Sequence, residues 1–285
     1  MSAPQALAVK VAEAAADAWW GAVRSNGEDG VPLGVVAALS LLGRRDPDGP
    51  EPMEQILAAT DEQIATVLAE VWCLFTIVRP ELAFRCGPFA RWLDEEPRSE
   101  ANVIGAGAVA RAAVKAGLLE LTLERASARE VDVLGHLYLL LRNNKAKRKH
   151  GEFYTPPNVA ELMAGISLGD AKPGQSICDP AAGTGGLLRA AAQALREAGK
   201  DPHEFWWYGC DIDHVVAAGL AVNAHVWDLG PRVVIGCANV LAEPDWDVRA
   251  AEEQKEAVKA QKVRHAGATT LAALRALEAP DRRAA

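Results

Sequence analysis

The run Asp179-Pro180-Ala181-Ala182-Gly183-Thr184-Gly185-Gly186 decides how the second half of this chain is expected to fold. It follows a short β-prone segment at Gln175–Cys178 and leads into a helix-prone run that begins at Leu187. A strand, a tight glycine turn and a helix, in this order, bring the N–H groups of a helix N-terminus close to a polar ligand. At Gly183 or Gly185 a larger side chain would hold the ligand off or forbid a positive φ. The run therefore predicts a ligand-binding turn.

Strand and helix signals alternate on both sides of this turn. After it, Leu187–Ala198 and His214–Trp227 are expected to be helices, while Phe205–Cys210 and Arg232–Cys237 are expected to be strands. The residues at 206 to 208 are interpreted as packing on a sheet face. Such an alternation implies a parallel sheet with right-handed crossovers, and ligands bind across the carboxyl ends of its strands.

The first half of the chain shows no strand-like alternation before residue 130. Pro4–Val23 has apolar residues at helical spacing, and the apolar run Val31–Leu42 is interpreted as a buried helix. Thr60 and Gln63 have capping-box spacing before a long helix that Pro80 ends or redirects. Further helices are expected at 88–95 and 101–124. We expect an all-helical domain.

Composition and charge restrict the class of protein. The net charge of −8 argues against a chain that coats nucleic acid by itself. A basic cluster could still make local contact with nucleic acid. The same cluster is explained equally well as the solvated end of a helix. The cluster consists of Arg142, Lys145, Lys147, Arg148, Lys149 and His150.

The sequence favours a cytoplasmic protein that does not cross a membrane. No apolar run is long enough for a bilayer span, and no basic segment leads into an apolar one at the N-terminus. The five cysteines are isolated, which suits a reducing compartment. Cys178, Cys210 and Cys237 fall at strand ends, where small buried residues explain them better than a metal site with unpaired spacing.

Two flanking segments accompany the glycine turn. Gly151–Pro157 reads Gly-Glu-Phe-Tyr-Thr-Pro-Pro, and Tyr208–Asp213 reads Tyr-Gly-Cys-Asp-Ile-Asp. In this order and spacing the three segments resemble the N6-adenine DNA methyltransferases, most closely the modification subunit of type I restriction-modification systems. The Leu-Gly-x-x-Tyr helix expected at Val131–Asn143 is similar to one that precedes the cofactor domain in those subunits. The resemblance covers residues 132 to 248.

The resemblance implies an α/β fold with a truncated Rossmann-like core of three parallel strands, ordered third, second, first. This S-adenosylmethionine-binding core is expected at 131–248, after a helical domain at 1–130 and before a helical tail at 249–285. The first strand would then be an open edge of the sheet, which is a liability unless something covers it. The expected cover is the C-terminal helix, together with a partner-binding role.

The resemblance also implies which residues bind the cofactor. Asp179 is expected near the methionine ammonium group. Asp211 ends the second strand, where a carboxylate can accept hydrogen bonds from both ribose hydroxyls or, alternatively, serve only the N-terminus of the next helix. The other implied contacts are the turn residues Ala181, Ala182, Gly183 and Gly185, the methionine-carboxylate residues Glu152, Phe153, Tyr154, Thr155 and Pro156, and the adenine contacts Ile212 and Asn239.

The chain departs from the family after the third strand. Asn239 stands where the family has an acid, although its amide oxygen can still accept a hydrogen bond. The Asn-Pro-Pro-aromatic motif that holds the flipped target base does not occur in the sequence. A charged, alanine-rich helix follows from Arg249 nearly to Pro280 instead. No catalytic residue is therefore assigned.

Three functions follow from these features. In the first, the chain is the cofactor half of a DNA adenine methyltransferase that acts on DNA within a complex, with a second methyltransferase half or a specificity subunit. In the second, it is a non-catalytic assembly or sensor subunit of a restriction-modification or defence complex. The third, a nicotinamide enzyme, is disfavoured by the Asp-Pro turn and by Leu188 at the position of the third glycine.

Overall fold

The computed structural model describes residues 2–23, 28–42, 52–145 and 155–278, with side chains omitted at 125, 143–145 and 267–278. Before Ser176 the described residues contain helices and no strand, as predicted. The α-helices are α1 (Ala3–Ala22), α2 (Gly30–Ser40), α3 (Pro52–Ala58), α4 (Asp61–Val78), α5 (Pro80–Ala83), α6 (Gly87–Ala90), α7 (Glu100–Ala116), α8 (Leu118–Leu123), α9 (Arg125–Arg129) and α10 (Val133–Lys145).

Local sequence accounts for the ends of these helices. At the start of α4, Gln63 N donates to Thr60 Oγ1 at 3.3 Å and Thr60 N donates to Gln63 Oε1 at 2.8 Å, which is the predicted capping box. Pro80 begins α5 directly after α4. The helix expected at 101–124 is divided, because Gly117 adopts a φ of 110° and ends α7. The stretch 88–95 forms short α and 3-10 turns rather than one helix.

The second half forms the predicted three-stranded parallel sheet. Its strands lie in the order β1-β2-β3, with Ile177 beside Trp207 and Tyr208 beside Val234. The elements are α11 (Pro157–Ser167), β1 (Ser176–Asp179), α12 (Gly186–Glu197), β2 (Trp206–Asp211), α13 (His214–Val226), β3 (Val233–Cys237) and α14 (Trp246–Glu278).

Helix α11 begins at Pro157, and Pro156 is its N-cap. The reason is steric: a proline disfavours the α conformation at the residue before it, so Pro157 keeps Pro156 extended. Pro157 then fits the first helical position, where no N–H is needed.

Helices α12 and α13 cover one face of the sheet and the first turns of α14 cover part of the other. Leu188 of α12 and Leu220 of α13 meet over Gly209 of β2. On the opposite face, Trp246 and Ala250 of α14 pack on β2 and β3. The aromatic residues of β2 divide accordingly: Trp207 is fully buried in the main core, whereas Trp206 is 41% exposed.

The C-terminal helix does not cover β1, contrary to expectation. It packs against β3 and α5, at the opposite side of the sheet. Gln254 Nε2 donates to the Val233 carbonyl at 2.9 Å, and Arg85 Nε donates to the Ile235 carbonyl at 2.9 Å. Because Trp246 follows β3 closely in sequence, the start of α14 is held beside β3. The edge that it closes is therefore that of β3.

The main hydrophobic core includes residues from both halves of the chain, from Ala8 to Ile235. The domain boundaries at 130 and 248 stay predictions. Within the part of the chain that the structure describes, no helix combines the length and the apolarity needed to cross a lipid bilayer.

Candidate cofactor site

The glycine turn lies where β1 ends and α12 begins. Gly183 and Gly185 have φ values of 58° and 100°, conformations that glycine adopts without a steric penalty. The Ala182 N–H donates to the Cys210 carbonyl at 2.8 Å, which ties the turn to the carboxyl end of β2. The predicted strand–turn–helix unit is thus present, and it opens at the carboxyl edge of the sheet.

Asp179 presents an unsatisfied carboxylate oxygen in this turn. Its Oδ1 accepts from the Ala181 N–H at 3.1 Å, whereas its Oδ2 is buried and has no hydrogen-bond partner among the described residues. Burial raises the pKa of Asp179, the Ala181 N–H opposes that change, and the neighbouring Asp211 raises the pKa further. A cationic donor bound here would satisfy Oδ2 and favour the ionised carboxylate.

Asp211 holds the loop around the turn, and it is not the helix cap. Its Oδ2 accepts from the Gly183 N–H at 3.0 Å and its Oδ1 accepts from the Asp213 N–H at 2.9 Å. The N-cap of α13 is Asp213, whose Oδ1 accepts from the Val215 N–H at 2.8 Å. Since each carboxylate oxygen has two lone pairs, Asp211 can still accept hydrogen bonds from ligand hydroxyls.

Helices α11 and α12 run parallel beside each other. Near their starts, Arg189 Nη2 lies 3.3 Å from Glu161 Oε1; beyond their ends, Lys200 Nζ donates to the Gly169 carbonyl at 2.9 Å. The N-terminus of α11, with the exposed residues Thr155 and Pro156, therefore lies at the same end as the glycine turn. Two helix N-termini of positive partial charge suit a ligand carboxylate. Glu152, Phe153 and Tyr154 lie outside the described residues.

The two predicted adenine contacts lie beyond β2 and β3. The side chain of Ile212 is 69% exposed directly after β2, so an apolar ring can pack on it. Asn239 is exposed, and its Oδ1 accepts from the Leu241 N–H at 3.2 Å. The Ala238 N–H donates to the Asp211 carbonyl at 3.1 Å, which holds this loop beside the end of β2.

Gly185 packs against α13. A Cβ at this position would lie 2.6 Å from Leu220 Cδ1 and 2.8 Å from Trp227 Cζ3. The missing side chain thus gives room to α13. Its left-handed φ and this packing both favour glycine, and the contact of its backbone with the cofactor stays a prediction.

The structure adds a buried polar network that the sequence reasoning missed. Thr184, 2% exposed, donates its hydroxyl to Asp132 Oδ2 at 2.5 Å. Asn223 Nδ2 donates to Asp132 Oδ1 and to the Thr184 carbonyl, both at 2.9 Å. The Gly135 N–H also donates to Asp132 Oδ1, at 2.8 Å. The sequence offered one sign of this contact with the glycine turn: an acidic residue, Asp132, directly before the Leu-Gly-x-x-Tyr helix.

Helix α10 also contacts the second loop of the site. The Tyr138 hydroxyl donates to Asp213 Oδ2 at 2.9 Å, and Arg142 Nη2 lies 3.7 Å from the same oxygen. The tyrosine of the Leu-Gly-x-x-Tyr pattern thus supports the N-cap that follows Asp211. Of the predicted basic cluster, residues 146–150 lie outside the described residues.

The strand-end cysteines have the properties of neutral thiols. Burial raises the pKa of Cys210 to about 11, and it also raises the pKa values of Cys178 and Cys237. Metal ligation requires the thiolate. Among the described residues, no group of three or more His, Cys, Asp or Glu side chains is arranged to hold a metal ion.

Comparison with known proteins places this site in a family context. Residues 129–262 match the model of the N-6 DNA methylase family. The chain is 39% identical over 72 residues to the type I restriction enzyme EcoEI methylase subunit of Escherichia coli, and 30% identical over 123 residues to the MpnII methylase subunit of Mycoplasma pneumoniae. These alignments cover 25% and 41% of this chain.

The fold is also similar to a solved structure. A type I restriction-modification methyltransferase subunit from Streptococcus thermophilus aligns over 86% of this chain, with a TM-score of 0.50 and 20% identity. The chain spans 60% of that subunit and only 14% and 22% of the EcoEI and MpnII subunits. With its three-stranded parallel core and preceding helices, the chain is similar, over residues 129–262, to the N-6 DNA methylase family.

Proposed function

We propose that this chain binds S-adenosylmethionine and is the cofactor-binding half of a DNA N6-adenine methyltransferase, with a second polypeptide completing the transfer. The observation that carries the proposal is the buried Oδ2 of Asp179 beside the glycine turn, which has no hydrogen-bond partner within the described part of the chain. A buried carboxylate oxygen without a partner is costly, and a ligand ammonium group would satisfy it. S-adenosylmethionine carries such a group and, when bound, supplies the methyl group.

At the methionine end, Asp179 accepts from the ammonium, and the backbone of Ala181, Ala182 and Gly183 lines the cofactor. The carboxylate lies toward Thr155 and Pro156 at the start of α11, with 152–154 completing this side. The start of α12 adds to the favourable potential, because it begins at the same end of the helix pair.

At the adenosine end, the Asp211 carboxylate accepts from the ribose hydroxyls. Ile212 packs on the adenine ring, and Asn239 accepts from the exocyclic amine with its amide oxygen. Gly185 shapes the turn, and its backbone approaches the cofactor together with that of Gly183.

The groups that act on the target base come from elsewhere in this proposal. The sequence contains no Asn-Pro-Pro-aromatic motif, so the binding of a flipped adenine falls to a partner, acting with DNA in a cytoplasmic complex. The same absence favours a second candidate, a non-catalytic assembly or sensor subunit that keeps the cofactor site.

Two experiments test these functions. Calorimetric titration with S-adenosylmethionine should give binding, and titration with NAD should not; the reverse result would favour a nicotinamide protein. Transfer of a labelled methyl group to DNA should then require the products of neighbouring genes. If these leave the chain inactive but cofactor-bound, the sensor or assembly function is correct.

A further inference from the structure

The turn between β2 and α13 carries two of the proposed adenosine contacts, Asp211 and Ile212. The Ile212 side chain is 69% exposed, so few neighbours pack on it. Its carbonyl oxygen lies 3.8 Å from the Cys237 thiol, which is a weak donor. Packing around Ile212 therefore does little to fix this turn. Its position depends on the hydrogen bonds of the two aspartates that flank Ile212.

A chain of hydrogen bonds joins these aspartates to α10. The Asp213 N–H donates to Asp211 Oδ1 at 2.9 Å, and the Gly183 N–H donates to Asp211 Oδ2 at 3.0 Å. The Tyr138 hydroxyl of α10 donates to Asp213 Oδ2 at 2.9 Å. A movement of Asp213 would therefore also move a donor that orients the Asp211 carboxylate.

The Tyr138 hydroxyl is not needed to cap α13. Asp213 accepts from the Val215 N–H with its other oxygen, Oδ1, at 2.8 Å. Packing does not explain the hydroxyl either, because a phenylalanine would fill the same buried position with the same ring. What the hydroxyl adds is a fixed position for the Asp213 carboxylate, through a hydrogen bond to a charged acceptor. Arg142 Nη2, 3.7 Å from the same oxygen, favours that position as well.

Helix α10 is itself held by the helical half of the chain. It packs against α1 and α2, and its residues Leu134, Leu137 and Leu141 are buried in the main core. A side chain on a well-packed helix is placed more precisely than one on a loop. Tyr138 is therefore a fixed point for the turn that follows β2.

We infer that Tyr138 is a positioning residue for the adenosine end of the cofactor. Through Asp213 it fixes the turn that presents Asp211 and Ile212 to the ligand, whose identity rests on the proposed function. The helical half then contributes to the affinity for adenosine through a residue that need not touch the ligand.

The test compares wild type with Tyr138→Phe in calorimetric titrations with S-adenosylmethionine and with methylthioadenosine, which keeps the adenosine and lacks the amino-acid group. Both affinities should fall by the same factor, about three- to tenfold, because the two ligands share the adenosine end. By contrast, Asp179→Asn should weaken the binding of S-adenosylmethionine and leave that of methylthioadenosine unchanged. A hydroxyl that only stabilised the fold would lower the melting temperature of Tyr138→Phe and leave both affinities as in wild type.

The matched control is Tyr208→Phe. The Tyr208 ring stacks on Trp206, and its hydroxyl makes no hydrogen bond to a residue that the structure describes. Both affinities of this variant should stay within about twofold of wild type. The inference is overturned if Tyr138→Phe binds both ligands as wild type does, if only S-adenosylmethionine is weakened, or if Tyr208→Phe weakens both ligands equally.

Amide hydrogen exchange in the free protein gives a readout that needs no ligand. In Tyr138→Phe the Asp213 amide, which donates to Asp211, should exchange about tenfold faster than in wild type. The Ala217 amide, which donates to the Asp213 carbonyl, should exchange as in wild type. Unchanged exchange at Asp213 would overturn the inference. Faster exchange at Asp213 in a protein whose wild type binds neither ligand would support the positioning by Tyr138 and contradict the proposed function alone.

Discussion

At the scale of single residues, the protonation state of Asp179 affects both the stability of the fold and the proposed binding of a cationic ligand. The folded state holds the Asp179 proton more tightly than the unfolded chain does, since burial raises the pKa. Ionisation of this group therefore reduces stability as the pH rises through the folded pKa. Conversely, affinity for a cationic ligand should weaken as the pH falls toward that pKa.

The variant Asp179→Asn should separate these two effects. Loss of a charge-assisted hydrogen bond of about 1.5–3 kcal/mol should weaken S-adenosylmethionine binding roughly 10- to 100-fold, as measured by calorimetry. The melting temperature of the free protein at neutral pH should not fall, because a neutral amide is easier to bury. Unchanged affinity together with lower stability would make Asp179 structural.

Gly185 and Gly186 form a matched pair in the same turn. Gly185→Ala should cost about 2 kcal/mol or more, because it combines a left-handed φ with contacts to Leu220 and Trp227. At Gly186 a Cβ meets no atom within 4 Å, so Gly186→Ala should gain about 0.4–1 kcal/mol. Denaturant unfolding measures both, and equal effects would refute this account of the turn.

At the scale of elements, the contact between α10 and the glycine turn depends on the Asp132 network. Thr184→Val removes one donor from Asp132 and should cost about 1–3 kcal/mol. Thr122→Val is a suitable control, because the Thr122 hydroxyl donates to the Leu118 carbonyl of its own helix and makes no other bond to a residue that the structure describes; its loss should cost little. If the two variants lose similar amounts of unfolding free energy, the Asp132 network does not stabilise the contact between α10 and the glycine turn.

The packing of helix α14 on the sheet depends on the side chains of its first turns. Trp246 is 7% exposed against β3, so Trp246→Ala should destabilise the protein by about 3–5 kcal/mol. Val263, 72% exposed on the same helix, should tolerate alanine within about 0.5 kcal/mol. If thermal unfolding shows Trp246→Ala to be as mild as Val263→Ala, the closed β3 edge is not important for stability.

Sequence reasoning succeeded at the element scale where the chemistry was local. The capping box at Thr60, the glycine turn and the strand–helix alternation each act within a few residues, and the predicted sheet order is confirmed. It failed where distant residues decide the outcome. Nothing local shows that Thr184 meets Asp132, that Gly185 faces α13, or that α14 closes β3.

At the scale of the whole molecule, the helical half and the sheet share one hydrophobic core, and α10 contacts both loops around the candidate cofactor site. One edge of the sheet is closed by this chain's own side chains, and the other has no hydrogen-bond partner among the described residues.

The most direct test of cofactor binding is an NMR titration of the isotope-labelled chain with S-adenosylmethionine. The account predicts saturable shifts of the backbone amides at Ala181–Gly183 and at Asp211–Asp213, with smaller shifts near Thr155. Amides at the amino ends of the strands should not move. Absence of shifts at millimolar cofactor, or shifts confined to another surface, would contradict the account.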